Sequence, residues 1–284
     1  MSGSLENSPL HDIDVRSVKI PMRDGICLAT DVYLPKDSTL AYPVLLERTP
    51  YDKRGISRSE KSISHPTPMT RSELALWFAQ YGYVVVMQDC RGRYESEGVF
   101  TKYVNEAEDG YDTLTWLMEQ TWCNGRIGTM GLSYGAHTQA ALAGLNPPGL
   151  SAMFIDSGGF SSAFHSGIRQ GGAFELKQAT WAYKHALLSP ATRSDPVRQK
   201  ALEQVDIFQW FEKFPWRPGY SPLSAAPEYE SYLFSQWGDG LFNENWKLPA
   251  LYAEGHYQSF PDIPTAIVGS WYDPYVRACV RNFQ

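Results

Sequence analysis

The stretch RIGTMGLSYGAHTQAALAGL, residues 126–145, decides the fold. Arg126 to Met130 reads as a short strand, and Tyr134 to Leu145 as an Ala-rich helix closed by Asn-Pro-Pro-Gly. Between them, Gly131-Leu-Ser-Tyr-Gly135 fits G-x-S-x-G, the tight strand-to-helix turn that raises a nucleophile above a sheet. Such a turn is strained, and small residues on both sides of the serine let the backbone pass. It lifts the Ser133 hydroxyl and leaves the Tyr134 amide free at the helix N-terminus to hold an oxyanion. Gly and Ser are common, so five residues alone are a weak pattern, and a capping serine in an ordinary turn is the competing reading. The strand before and the helix after favour the nucleophile.

Outward from this turn, strands and helices alternate. Toward the N-terminus, Glu106 to Glu119 is helical, and Tyr83 to Met87 (YVVVM) is a β-branched run suited to a parallel sheet covered on both faces. Ser72 to Tyr81 has helical apolar spacing, Tyr51 to His65 is a polar loop, and VLLER after Pro43 is a buried strand. Val15 to Ile20 and Cys27 to Tyr33 flank the turn PMRDG and form a hairpin. Toward the C-terminus, Ala152 to Asp156 is another strand. This order argues a doubly wound α/β core.

The alternation stops from Gly158 to about Phe260. Helices are expected over Phe174–Leu188 and Pro196–Phe214, among Pro- and Trp-rich loops with no clear strand. Pro264 to Val268 restores a strand, GSWYDPY follows, and Arg277 to Phe283 begins a helix. The expected division is a flexible tail over 1–14, the first part of an α/β-hydrolase core over 15–157, a mainly helical cap insertion over 158–260, and the core continuing over 261–284.

A chain of 284 residues suffices for one large α/β domain with an inserted lid. The net charge of -6, with no basic tract, argues against nucleic acid as a partner. No run approaches the roughly 18 apolar residues of a membrane span, and MSGSLENSPLHDID has neither the basic start nor the apolar stretch of a secretory leader. Cys27, Cys90, Cys123 and Cys279 are scattered without redox or zinc spacing. A cytoplasmic setting, no membrane partner and no cofactor are therefore expected. No metal is expected either, since no His/Asp cluster has ligand spacing. A homo-oligomer is compatible with all of this. A dinucleotide-binding reading lacks its G-x-G-x-x-G after a first strand.

A serine nucleophile needs a base. In this fold the acid and then the histidine follow in chain order. Asp273 lies just past the Pro264–Val268 strand and is the acid candidate, with a helix cap or turn residue as its other reading. The histidines are His11, His65, His137, His165, His185 and His256, and none follows Asp273. His137, four residues past Ser133 on the same helix, is expected to pack beneath the turn. The others read as packed or solvated. The expected place for the base is empty.

Several long blocks, in order, resemble the family that holds X-prolyl dipeptidyl peptidases, cocaine esterase and glutaryl acylase-type hydrolases. They are VKIPMRDGICLATDVYLP, LLERTPYDK, YVVVMQDCRGRYESEG, EAEDGYDTLTWLMEQTWCNGRIGTMGLSYG and VGSWYDPY. The resemblance implies an α/β-hydrolase fold with a helical cap, Ser133 as nucleophile and Asp273 as triad acid. It implies that the Tyr51 hydroxyl is one oxyanion donor, beside the Tyr134 amide. By itself, Tyr51 reads as a surface aromatic after a Pro turn. Asp89 and Arg91 match a segment that shapes the core near the site, through a salt bridge or loop hydrogen bonds.

Members of this family continue from the acid loop to a histidine-bearing segment and a C-terminal β-sandwich of jelly-roll type, and neither is found in these residues. The expectation is the N-terminal half to two thirds of a family member, truncated rather than split between chains or a short pseudoenzyme. The expected function is serine hydrolase action by acyl transfer on a small ester, an amide or a short peptide. The alternative is a truncated or non-catalytic fragment lacking the triad histidine. A dipeptidyl peptidase would need a carboxylate to hold the substrate amine. Glu175, Glu203 and Asp206 lie in the insertion, but their spacing assigns that role to none of them.

Overall fold

The N-terminal alternation folds as the expected hairpin. In the computed structural model, which describes residues 11–36, 40–57 and 66–284, β1 (Ile13–Pro21) pairs antiparallel with β2 (Cys27–Pro35). The strand begins inside the segment expected to be tail, because its register runs on until Ile13 meets Pro35. Residues 1–10 of that tail lie outside the described residues. So does 58–65 of the expected loop, His65 included.

Next come β3 (Tyr42–Thr49), α1 (Arg71–Gln80), β4 (Val84–Asp89), α2 (Glu106–Met118), β5 (Cys123–Leu132), α3 (Tyr134–Ala143) and β6 (Leu150–Asp156). Thr70 and Glu73 start α1 with a reciprocal capping box. Every residue of β4 is buried. Successive strand residues face opposite sides, and the two sides find different partners. Val84 and Val86 join Leu114 and Leu117 of α2 and Ala136 and Leu142 of α3. Val85 and Met87 join Ala75 and Ala79 of α1. The sheet is thus covered on both faces, as the unbroken apolar run requires.

The segment after β6 is mainly helical, with corrections to the expected bounds. A two-residue hairpin, β7 (Arg169–Gln170) and β8 (Ala173–Phe174), turns through Gly171 and Gly172, both at positive φ. It is too short to leave a period in the sequence. It also takes Phe174 out of the following helix, so α4 spans Lys177–Leu187. The single helix expected over Pro196–Phe214 is two, α6 (Pro196–Glu203) and α7 (Ile207–Trp210), after a one-turn α5 (Pro190–Arg193). Asp206 divides them, because its carboxylate accepts the Phe208 and Gln209 amides and so starts a new helix. The unforeseen α8 (Pro227–Gly238) begins with Pro at N1.

The chain then returns to the sheet as β9 (Thr265–Val268), parallel to β6, and ends in α9 (Val276–Phe283). The strand order is β1-β2-β4-β3-β5-β6-β9, parallel from β4 to β9. This is the α/β-hydrolase arrangement.

Candidate active site

Because β3, β5, β6 and β9 are parallel, the loops that follow them leave on one edge, where α/β sheets bind ligands. Leu132 at the end of β5 is level with Asp156, and Asp156 with Val268. Tyr51, Ser133 and Asp273 therefore follow the carboxyl ends of β3, β5 and β9.

Ser133 sits at φ 57 and ψ -112, backbone that a non-glycine residue holds only when its surroundings impose it. Those surroundings are visible. The Ser133 amide donates to the Asp156 carbonyl at 2.9 Å, and the Ser133 carbonyl accepts the Ala136 and His137 amides at 2.9 and 3.2 Å. Gly131 has φ 150, and a Cβ there would lie 3.0 Å from Gly135 Cα. A Cβ on Gly158 would lie only 2.5 Å from the Ser133 carbonyl oxygen.

The Tyr51 phenol and Ser133 line one cavity, and Ser133 is close enough to oppose the effect of burial on the phenol. Trp181 Nε1–H donates to the Tyr51 oxygen at 3.3 Å, which leaves the phenol's own proton free to be donated. Burial pushes the Tyr51 pKa up, so that proton is retained at neutral pH. The loop is held from below. Tyr51 N–H donates to Thr49 Oγ1 at 3.1 Å and Lys53 N–H to Asp89 Oδ1 at 2.8 Å. Arg71 bridges the Glu47 carboxylate at 2.7 Å and the Ile56 carbonyl at 3.0 Å.

The Tyr134 amide is the first of α3, so no carbonyl within the helix accepts it. Its side chain is an anchor: the hydroxyl donates to Glu106 Oε1 at 2.8 Å and accepts the Tyr103 amide at 2.9 Å. Asp273 is half-buried in the β9–α9 loop, where its carboxylate accepts the Tyr275 amide at 2.7 Å. Burial pushes the Asp156 carboxyl up, the Ser157 hydroxyl opposes this, and the Asp273 charge adds to it, so the two carboxylates are electrostatic neighbours. One strand, β6, separates β5 from β9, which sets their ends about 10 Å apart.

No described histidine lines the cavity that opens over Ser133. His137 is buried against Phe160, with ring centroids 3.8 Å apart, and its Nδ1 accepts the Gly159 and Phe160 amides at 3.0 and 3.2 Å. Burial holds it neutral. His185 stacks on Trp181, and burial reinforced by Arg93 pushes it down to about 2. His165 pairs with the Ser162 hydroxyl at 2.7 Å, His256 with the Lys247 carbonyl at 2.9 Å, and His11 rests on Tyr42.

Asp89 takes the Lys53 amide and Arg91 bridges Asp109 and Asp24, in line with their expected structural part. Burial pushes the Asp89 carboxyl up to about 7. Glu175 is paired with Lys177, Glu203 accepts the Gln199 amide group at the surface, and Asp206 caps α7.

Sequence reasoning missed Trp181 and Tyr275, which wall the cavity, and Arg93, which ties core to cap. Arg93 is fully buried. It donates to the Pro50 and His185 carbonyls, each at 3.0 Å, and to the Tyr229 hydroxyl. An arginine in a Gly-flanked loop at a strand's carboxyl end was the available signal. Among the described residues no group of three or more His, Cys, Asp or Glu is placed to hold a metal, and no helix is long and apolar enough to cross a membrane.

A parallel sheet covered on both faces, with a strained serine between its central strand and helix and a helical insertion before the last strand, defines an α/β-hydrolase. Within that class the chain belongs to the X-Pro dipeptidyl-peptidase (S15) family, which it matches over residues 24–284. Cocaine esterase from Rhodococcus sp. (strain MB1 Bresler) is 32% identical over 274 residues, covering 94% of this chain and 45% of the relative. An aminopeptidase from the marine sediment archaeon Thaumarchaeota archaeon superposes with a TM-score of 0.61 at 21% identity, covering 99% of this chain and 48% of that one. An α-amino acid ester hydrolase gives 0.56 at 23%, covering 100% and 48%. At these identities the two structures speak for the fold. The chain spans about half the length of these relatives. It is a member of a hydrolase family of esterases and peptidases.

Proposed function

We propose that Ser133 is the acyl acceptor of a serine hydrolase acting on esters or amides. The observation that carries this reading is the strained Ser133 backbone at the carboxyl end of β5, with Tyr51 lining the same cavity. In the first step Ser133 Oγ forms a bond to the substrate carbonyl carbon and gives up its proton. The carbonyl oxygen becomes an oxyanion, held by Tyr51 O–H and the Tyr134 amide. The leaving group departs with a proton as the carbonyl re-forms, and water then releases the acyl group by the same path. No described histidine lines this cavity, so on this reading an imidazole from outside its described lining takes the Ser133 proton and passes it to the leaving group, and Asp273 orients that ring. The spacing of about 10 Å between the ends of β5 and β9 leaves room for one such ring.

A second reading has its own support, since no described histidine lines the Ser133 cavity. On that reading this polypeptide alone binds or acylates without turning over. A fluorophosphonate probe separates the cases. Labelling at Ser133, abolished in Ser133→Ala, supports the acyl acceptor, and a burst without turnover then supports the second reading. Absence of labelling in a folded chain overturns the first.

A further inference from the structure

The Tyr51 oxygen belongs to the core, and a donor that reaches it belongs to the cap. Tyr51 follows β3, whereas Trp181 lies in α4 and gives its indole N–H to that oxygen at 3.3 Å. The contact joins positions 130 residues apart in the chain. Both side chains line the cavity of about 340 Å³ over Ser133.

The indole has little freedom to aim elsewhere. Its ring stacks on Tyr134 at 6.0 Å and on Phe100 at 5.9 Å, and lies tilted against His185, one helical turn on in α4, at 4.0 Å. Lys102 Nζ, held by Gln178 Oε1 at 2.8 Å, stands 3.8 Å from the indole centroid. His185 also meets the Tyr51 ring at 5.2 Å, so α4 touches that tyrosine from two successive turns. The Arg93 bond to the His185 carbonyl fixes this end of α4 on the core.

A phenol hydroxyl prefers the plane of its ring, which leaves its proton two orientations. A donor on one side of the oxygen occupies a lone pair there and repels the proton from that side. The proton is left to point the other way. Burial pushes the Tyr51 pKa up, and the indole bond opposes burial by favouring the phenolate. A phenol polarised in this way is also a stronger donor to a developing oxyanion.

We infer that Trp181 is a positioning residue for acyl transfer at Ser133: its N–H turns the Tyr51 proton away from the cap and toward the oxyanion, so the oxyanion site is complete only when α4 is seated on the core. The inference rests on the reading of Ser133 as acyl acceptor. It gives the cap a part in the chemistry beyond walling the cavity.

The test removes the N–H and keeps the ring. In the full chain, Trp181 is replaced by 3-benzothienylalanine, which puts sulfur where the N–H stands, in the parent and in Tyr51→Phe. Trp181→Phe also lacks the donor and keeps a stacking ring, so it reports even where the first variant does not fold. Fluorophosphonate labelling of Ser133, followed over time at several probe concentrations, gives a limiting rate and a half-saturating concentration. The limiting rate should fall by about tenfold in both variants, with the half-saturating concentration unchanged. In the Tyr51→Phe chain the same replacements should change the rate by less than about twofold, because the group they act through is gone. A mere wall residue gives another split: the half-saturating concentration rises and the limiting rate holds, whatever stands at position 51. That result, an undiminished rate, or an equal loss in both backgrounds overturns the positioning role and leaves the acyl acceptor standing. Absence of labelling in the folded parent overturns the acyl acceptor itself, and the positioning role falls with it.

Discussion

Tyr51 keeps its proton because burial disfavours the phenolate, and its oxygen is already occupied by the Trp181 indole N–H. Its one remaining hydrogen is thus available to a developing oxyanion. Tyr51→Phe removes that donor and little volume. The expected result is a drop of about a hundredfold in Ser133 acylation by an activated ester, read as the burst rate, with the urea midpoint unchanged. Gly158→Ala acts on the serine from the other side. Its methyl group would sit 2.5 Å from the Ser133 carbonyl oxygen, and the contact is backbone, so the turn itself must move. Labelling should slow by about tenfold or more, since small misplacements of a reacting atom are expensive. Asp89 gives a pH signature. Its folded pKa, about 7, stands above the unfolded value near 3.8. Below pH 4 the carboxyl is protonated in both states and imposes no penalty. Between pH 4 and 7 the unfolded chain ionises while the folded one resists, so stability falls as pH rises. Asp89→Asn can still accept the Lys53 amide and removes this slope. The melting temperature of the variant should gain on that of the parent from pH 4 to pH 7, and a constant difference would refute the assignment.

Between elements, the decisive contact is the one made by Arg93. It leaves the loop after β4 and reaches the His185 carbonyl at the end of α4 and the Tyr229 hydroxyl in α8. No carboxylate pairs with it among the described residues, so its stabilisation comes from carbonyl dipoles and from Phe100 and Tyr94 beneath its plane. Arg93→Met leaves two buried carbonyls short of a donor. The expected cost is roughly 3 kcal/mol, with hydrogen exchange rising in α4 and α8 more than in β4. Elements differ in how far their sequences disclose them. The β4 run and the turn around Ser133 are legible because one local rule decides each: buried on both faces, or glycine on both sides of a strained serine. The break between α6 and α7 was not, since a helical pattern with one Asp inside it does not say whether that Asp caps or continues. Asp273 shows the same limit. The sequence allows a triad acid or a turn residue, and its carboxylate does accept the Tyr275 amide in the turn.

For the whole molecule, the part that sequence hid is the part that depends on long-range packing. Trp181 and Lys102 meet across 79 positions of chain, and no local period marks that meeting. The same packing joins core to cap. Phe100, Tyr103 and Tyr134 from the sheet side share one apolar cluster with Ala179, Ala182, Trp216, Tyr229 and Leu233 from the insertion. Rings cross the boundary as well: Phe100 stacks on Trp181 and Tyr229 at 5.9 and 6.0 Å, and Tyr134 on Trp181 at 6.0 Å. Opening the cap would therefore expose core aromatics and strand Arg93 together. A cap that opened alone would have to expose this shared surface without the compensating freedom of an unfolded core, at about 25 cal/mol for each Å² uncovered. Cap and core should accordingly unfold as one unit. Five of the nine tryptophans lie between residues 158 and 260, so intrinsic fluorescence reports the cap, while far-ultraviolet circular dichroism is weighted by the whole chain. In urea the two transitions should coincide in midpoint and slope. A fluorescence change that precedes the loss of dichroism would show that the cap is a separate folding unit, and that Arg93 and the shared aromatic cluster do not couple it to the sheet.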